Sequence, residues 1–206
     1  MGILNSRHAA QRPHFPVLTM IDAAKIIDTL QGLDPLADLP RTGYVIRGVK
    51  NPESIAAHSY AVAVAAMLLV DHLRQEGEEV DGELVLRLAL LHDTPEAVTG
   101  DIPMPSKDGP LHDALSNLEK NIAQKLLPGQ WIETWDQFEN SDSLEARIVR
   151  AADKMQMMVK VLTLEQQKQG NLDDFWANLS NYRDSDLPVV QQVYAEICTR
   201  AGRKLP

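Results

Sequence analysis

The chain has 206 residues, 44% of them hydrophobic and 24% charged, which is typical of a globular protein of one domain. Its formal net charge of −9 excludes a nucleic-acid backbone as the main partner, because binding a run of phosphates requires a basic surface. The single cysteine, Cys198, excludes an internal disulfide and suits a reducing compartment. Without a signal-peptide core or a continuous apolar run of about 18 residues, we expect a cytoplasmic protein with no membrane partner.

The N-terminal part of the chain changes character near residue 19. Residues 1–18 have no periodic pattern and are predicted to form a flexible leader, followed by one domain over residues 19–206. A helix is predicted to begin near Thr19, which is a suitable N-cap. The segment 32–50 is rich in glycine and proline, so it is predicted to be a long irregular connection.

Helical periodicity continues through the rest of the chain. Asn51-Pro52-Glu53 favours a helix start with Asn51 as the N-cap, and the helix to Leu73 is apolar on nearly every face, which predicts a central, buried position. Further helices are predicted over 83–93, 111–127, 143–169 and 187–202. Since the alternating pattern of strands is missing from the sequence, the predicted fold class is an all-α bundle.

Four ionisable residues lie where the helical pattern predicts burial. His58 stands within an apolar helix, His92 and Asp93 end an apolar run, and Asp153 follows two alanines. Buried ionisable groups are unfavourable unless they are paired or bound to a metal, so two imidazoles and two carboxylates together predict a divalent cation. Oxygen and imidazole ligands without thiolate suit Mn, Co, Fe, Ni, Zn or Mg.

Each of these residues has a simpler explanation when taken singly. A lone histidine in an apolar helix, such as His58, is more often a hydrogen-bonded core residue. Asp153 stands beside Lys154 and near Arg150, so it could be an ordinary ion-pair partner. The order His, then His-Asp, then Asp, with each motif on its own buried helix, is much more specific than any one of them.

This order resembles the HD-domain phosphohydrolase superfamily, whose pattern is H…HD…D on an α-helical bundle. The finer resemblance is to its 5′-deoxynucleotidase branch, which includes the YfbR-like bacterial enzymes and the eukaryotic HD-domain-containing protein 2. The segments that carry it are PRTGYVIRGVKNPESIAAHS (40–59), LALLHDTPEAVTGDIP (88–103) and RAADKMQ (150–156). The resemblance covers roughly residues 20–200 and implies an all-α HD-domain bundle holding one divalent metal at His58, His92, Asp93 and Asp153.

The resemblance also implies roles for three neighbouring residues. Glu96 corresponds to the catalytic acid/base, Asp101 to a substrate-site or catalytic residue, and Arg41 to the phosphate contact. Glu96 follows His92 by four residues, so a helical turn would place both side chains on one side. An ordinary glutamate in the first turn of a helix is an equally good interpretation of Glu96 from the sequence alone. The guanidinium of Arg41 matches the geometry of a phosphate dianion, although an arginine in a loop is more often simply solvated. Without the resemblance, Asp101 would be interpreted as a turn residue.

The implied activity is metal-dependent conversion of deoxynucleoside 5′-monophosphates to deoxynucleosides and phosphate, with a small nucleotide as partner. One alternative is a (p)ppGpp hydrolase of the same superfamily, but that branch carries an adjacent acidic pair where this chain has Glu96-Ala97. Another is a non-catalytic metal-binding module that senses a nucleotide. The family commonly forms dimers, so a homodimer is also compatible with the resemblance.

Overall fold

The computed structural model describes residues 22–103 and 111–206. Within these two ranges the regular elements are helices, together with one isolated antiparallel bridge between Pro40 and Ser54. The predicted all-α class is therefore confirmed. The predicted leader, residues 1–18, and the predicted helix start at Thr19 lie outside the described residues.

The helices follow one another with short connections. In chain order they are α1 (Ala23–Leu33), a 3-10 turn (Asp34–Ala37), α2 (Thr42–Val45), α3 (Ile55–Gln75), α4 (Gly82–Leu91), α5 (Glu96–Thr99), α6 (Leu111–Leu126), α7 (Gly129–Asn140), α8 (Leu144–Gln166), α9 (Asp173–Ala177), a second 3-10 turn (Leu179–Tyr182) and α10 (Pro188–Arg200). The first helix begins at Ala23 because Asp22 caps it: its carboxylate accepts the backbone N–H of Lys25 at 2.7 Å.

Helices α3, α4 and α8 pack against one another and form the centre of the bundle. Their facing side chains, which have no exposed surface, include Val62, Ala66, Val85, Leu88, Ile148 and Met158. Full burial of each large aliphatic side chain contributes about 1.5–3 kcal/mol, so this contact is a major part of the folding free energy. The same three helices carry the four ionisable residues that the sequence singles out, or end directly before them.

Helix α3 is apolar on two sides, but only one of them is buried. By length and composition alone this helix would be long and apolar enough to cross a membrane. One face packs on α4 and α8, whereas Tyr60, Val64, Met67 and Leu68 are 40–70% exposed on another. The predicted central position of α3 is confirmed, but its predicted burial is wrong for this stripe. Spacings of four, seven and eight residues bring these four side chains to one exposed side of the helix.

The start of α3 also differs from the prediction. Asn51 is not the N-cap; Ser54 is, and its hydroxyl accepts the backbone N–H of Ala57 at 3.2 Å. The physical reason is that the chain before Ser54 runs extended beside the preceding loop. Arg41 donates its backbone N–H to the Glu53 carbonyl at 3.0 Å, so this stretch cannot begin the helix.

Segments predicted as irregular contain short helices. The connection 32–50 includes the first 3-10 turn and α2. After Pro128, a segment for which the sequence predicts no element forms α7. Trp135 and Trp176 are 3% and 6% exposed, so both belong to the core. Helix α4 stops at Leu91, two residues before its predicted end.

Replacing Ser54 with alanine should lower the free energy of unfolding by about 0.5–2 kcal/mol, the usual range for loss of an N-cap. Urea denaturation followed by circular dichroism measures the change. Asn51→Ala is the matched control, because Asn51 is exposed and should change stability by less than about 0.5 kcal/mol. A larger loss for Asn51→Ala than for Ser54→Ala would contradict the assignment.

Candidate metal centre

Four predicted ligands converge where the first turn of α3, the end of α4 and the middle of α8 meet. The Nε2 atom of His58 lies 3.2 Å from Asp153 Oδ1 and 3.6 Å from Asp93 Oδ2, and His92 Nε2 lies 3.1 Å from Asp93 Oδ2. Suitable donor atoms of His58, His92 and Asp93 all lie within 4.8 Å of one another. The fold thus brings together residues that are up to 95 positions apart in the sequence (153 − 58).

The end of α4 places two of these groups side by side. His92 is the C-cap, and its backbone N–H still donates to the Leu88 carbonyl at 3.0 Å. The Thr94 hydroxyl donates to the Leu91 carbonyl at 2.8 Å, which satisfies one of the carbonyls left open at the helix end. The chain turns at this point, and His92 and Asp93 remain together at its inner side.

Both histidines present a buried Nε2 atom towards this centre. His92 Nδ1 lies 2.8 Å from the Ala89 carbonyl, which only accepts, so Nδ1 carries the proton and a neutral ring has its lone pair on Nε2. The Nε2 atoms of His58 and His92 are buried without a hydrogen-bond partner among the described residues. Two orphaned ring nitrogens facing carboxylates are the arrangement that a divalent cation satisfies.

The electrostatics of the centre support the same conclusion. Burial raises the pKa of the Asp93 carboxyl, but His92, Arg41 and His58 outweigh it and hold that pKa well below its usual range. The Asp153 carboxyl is likewise kept ionised, because Lys154 and His58 lower its pKa against the effect of burial. Two ionised carboxylates beside two imidazole nitrogens form a donor set for hard or borderline divalent metals.

The three other predicted site residues lie directly beside this cluster. Arg41 Nη1 is 3.1 Å from Asp93 Oδ2 and 3.8 Å from both Glu96 Oε2 and Asp101 Oδ1. Asp101 also accepts the backbone N–H of Gly43 at 3.4 Å, which links it to the loop of Arg41. Burial lowers the pKa of Arg41, but the surrounding carboxylates raise it above its ordinary value, so its charge is permanent.

The sequence pattern of the HD domain family matches residues 33–193, more than half of the chain. The chain belongs to this family. It is 33% identical to the 5′-deoxynucleotidase HDDC2 of Bos taurus over 171 residues, which covers 78% of this chain and 80% of the relative. The human protein of the same name is 32% identical over 162 residues, covering 75% and 76% of the two chains.

A solved structure shares both the fold and a considerable part of the sequence. The conserved hypothetical protein from Pyrococcus furiosus superposes with a TM-score of 0.68 at 31% identity, covering 81% of this chain and 98% of the archaeal one. The predicted resemblance to HD-domain phosphohydrolases is thereby confirmed.

The candidate metal centre of this HD domain opens into a cavity of about 440 Å³. That volume lies in the usual range of small-molecule sites, about 300–1,000 Å³. Its lining also includes Phe138, Phe175, Asn178 and Asn181. The cavity thus combines a charged end with a wall of aromatic and amide groups.

Three residues around the cluster were not predicted as site residues from the sequence, although Lys154 was considered as an ion-pair partner of Asp153. Lys154 lies 3.0 Å from Asp153 Oδ2, and Trp135 donates its indole N–H to the His92 carbonyl at 3.2 Å. The ring of Phe138 lies 5.3 Å from that of His92. Lys154 could have been found from its place next to Asp153, whereas the two aromatic residues reach the centre from α7, whose position depends on tertiary packing.

Arg47, the other arginine of this loop, is engaged elsewhere. Its guanidinium lies 4.6 Å from the centre of the Phe175 ring and 3.6 Å from Asp174, and it donates to the Gly43 carbonyl at 3.0 Å. These contacts make Arg47 part of the cavity wall.

The affinity of the HD domain for Mn²⁺ should fall as the pH decreases through the pKa of His92. Burial lowers this pKa, but the charges of Asp93 and Asp153 and the hydrogen bond to the Ala89 carbonyl raise it above its usual value, so the metal-free ring gains a proton at a higher pH than a free histidine would. Metal binding requires the unprotonated nitrogen and therefore releases that proton. Calorimetric titrations at pH 8, 7 and 6 measure the effect, and a constant affinity would contradict it.

Proposed function

We propose that the protein is a metal-dependent 5′-deoxynucleotidase that converts deoxynucleoside 5′-monophosphates to deoxynucleosides and phosphate. The observation that carries this proposal is the His/Asp cluster with Arg41 and Glu96 beside it, at the charged end of a nucleotide-sized cavity. The names of the bovine and human relatives support the same activity.

His58, His92, Asp93 and Asp153 are the proposed ligands of one divalent ion, which would be Mn, Co, Fe, Ni, Zn or Mg. When bound, such an ion neutralises charge on the phosphate group and makes hydroxide available near neutral pH. These four residues would hold the ion and leave it accessible to water and to the phosphate group.

The remaining groups act on the phosphate ester and the attacking water. Arg41 is the proposed phosphate contact, and its fork of N–H donors would bind oxygens that point away from the ligands. Asp101 lies 3.8 Å from that guanidinium and holds the neighbouring Gly43 N–H, so it is proposed to keep Arg41 in place at the substrate. Glu96 is proposed to remove a proton from the attacking water or deliver one to the leaving 5′-oxygen.

The (p)ppGpp alternative requires a second acid immediately after Glu96, where this chain has Ala97. Ala97 is 9% exposed and packs in a small apolar cluster with Leu36 and Ile55. A carboxylate at this position would be buried among aliphatic groups at a high cost. The structure around Ala97 therefore favours the monophosphatase.

The test is phosphate release from a panel of deoxynucleoside and nucleoside 5′-monophosphates, with (p)ppGpp included, each assayed with Mn, Co, Mg and Zn. Turnover of deoxynucleoside monophosphates supports the proposal, whereas selective cleavage of (p)ppGpp would overturn it. Metal and nucleotide binding without turnover of any substrate would instead identify the non-catalytic sensing module.

We also propose a homodimer and a cytoplasmic location for this enzyme. The exposed apolar stripe of Tyr60, Val64, Met67 and Leu68 supports self-association, because contiguous exposed apolar surface is typical of protein contacts. Light scattering of the wild type and of Leu68→Glu tests the dimer; a wild-type monomer would exclude it.

A further inference from the structure

A side chain outside the proposed ligand set contacts the imidazole of His58. Gln156 lies three residues after Asp153 on α8, and its Oε1 atom is 2.6 Å from His58 Nδ1. Its amide nitrogen lies 3.2 Å from both carboxylate oxygens of Glu53. The Glu53 side chain is only 8% exposed and lies 3.4 Å from the Lys160 ammonium.

These contacts determine which nitrogen of His58 carries the proton. An ionised carboxylate only accepts hydrogen bonds, so the Gln156 nitrogen must face Glu53 and its carbonyl oxygen must face His58. That oxygen also only accepts, so His58 Nδ1 must donate to it. The neutral ring is thereby held with the Nε2 lone pair towards Asp93 and Asp153.

The two histidines are oriented by different means. His92 donates to the backbone carbonyl of Ala89, which no side-chain replacement removes. The orientation of His58 instead depends on two side chains in series, which we call the relay: Glu53 fixes the orientation of the Gln156 amide, and Gln156 fixes the orientation of the imidazole. We propose that Gln156, anchored by Glu53, is a positioning residue that sets the metal affinity of this site through His58. This proposal rests on the proposed metal centre.

Glu53 connects the relay to the substrate end of the site. Its backbone carbonyl accepts the N–H of Arg41 at 3.0 Å, while its carboxylate holds the Gln156 amide. One residue thus fixes both the loop of the proposed phosphate contact and, through Gln156, a proposed metal ligand. Glu53 can make both contacts because it lies immediately before Ser54, the N-cap of α3.

Replacing Gln156 with methionine keeps a similar side-chain length and removes the acceptor. We expect the dissociation constant for Mn²⁺, measured by calorimetry on the full chain without substrate, to rise by about 10–100-fold, as for other residues that orient metal ligands. Gln191→Met, an exposed glutamine on α10, is the matched control and should leave it unchanged. Unchanged Mn²⁺ affinity in a folded Gln156→Met protein would overturn the proposal.

An exchange of the two partners tests the relay itself. Gln156→Glu alone places two carboxylates next to each other. Glu53→Gln alone leaves an amide that can present either its oxygen or its nitrogen to Gln156, so the orientation of the Gln156 amide is no longer fixed. In the double variant Glu53→Gln/Gln156→Glu an amide again faces a carboxylate, and position 156 still offers an oxygen to His58 Nδ1. Mn²⁺ should bind the double variant more tightly than either single variant. No recovery in a folded double variant would refute the relay, even if Gln156→Met fails to fold.

Proton-detected nitrogen spectra of the metal-free protein at pH 8 give a second readout. We expect the Nδ1–H tautomer of His58 in the wild type and in Gln191→Met, and a mixture of tautomers in Gln156→Met. A pure Nδ1–H tautomer in Gln156→Met would contradict the proposal. Because neither measurement involves substrate, loss of the relay is distinguished from failure of the proposed nucleotidase activity, which the phosphate-release panel decides.

Discussion

Replacing Glu96 with glutamine should lower kcat for a deoxynucleoside 5′-monophosphate by about 10²–10⁴-fold, the usual contribution of a general acid or base. The amide keeps the size of the side chain but cannot act as a general acid or base at neutral pH. Glu96 is 4% exposed and lies 3.8 Å from Arg41, so it is within the proposed substrate site. Steady-state kinetics at saturating Mn²⁺ measure the loss.

The same variant should retain one cation at the His/Asp cluster, because Glu96 is outside the proposed ligand set. Metal content after gel filtration checks this point. Glu133→Gln, an exposed glutamate on α7, serves as the matched control and should have wild-type kcat. Wild-type turnover by Glu96→Gln would exclude the proton-transfer role, and loss of metal from the cluster would make Glu96 a ligand instead.

Replacing Asp93 with asparagine should weaken Mn²⁺ binding by more than about 100-fold, the upper end of the effect of residues that only orient ligands. The carboxylate is a proposed ligand and also pairs with Arg41 at 3.1 Å, so both a ligand atom and its charge are lost. Turnover should fall with metal occupancy. Calorimetry and the phosphate-release assay measure the two effects on the same preparation.

Thermal unfolding gives an independent readout of the same loss. Mn²⁺ at 100 times its dissociation constant stabilises the wild type by about 2.7 kcal/mol. For a chain of this size that corresponds to an increase in Tm of about 5–10 °C. Asp93→Asn should show no such increase, whereas Asp71→Asn, an exposed aspartate on α3, should behave as the wild type. A full Mn²⁺ shift in Asp93→Asn would exclude Asp93 as a ligand.

Local patterns in the sequence were sufficient for the helical class and for the candidate ligands. Helical periodicity is a property of neighbouring residues, and ionisable residues interrupting apolar helices stand out without any tertiary information. The structure places His58, His92, Asp93 and Asp153 together, with Glu96 beside them.

Positions that depend on long-range contacts were predicted poorly. Asn51 is a residue type that often caps helices, and the proline after it is typical of the first helical position. The backbone hydrogen bond between Arg41 and Glu53 nevertheless moves the cap to Ser54. The exposed stripe of α3 is apolar, as is most of its buried face, and only the packing of α4 and α8 shows which one is covered. Composition predicts that a helix is apolar, but not how many neighbours it has.

The sequence by itself therefore determined the all-α class, the HD-type order of histidines and aspartates, and the proposed choice of a divalent metal. Only the tertiary structure decided how the site is held. Gln156 meets His58 across 98 residues of chain and Glu53 across 103, and Asp101 reaches the loop of Arg41. No periodic pattern in the sequence predicts hydrogen bonds between residues so far apart, because these contacts depend on how whole helices pack.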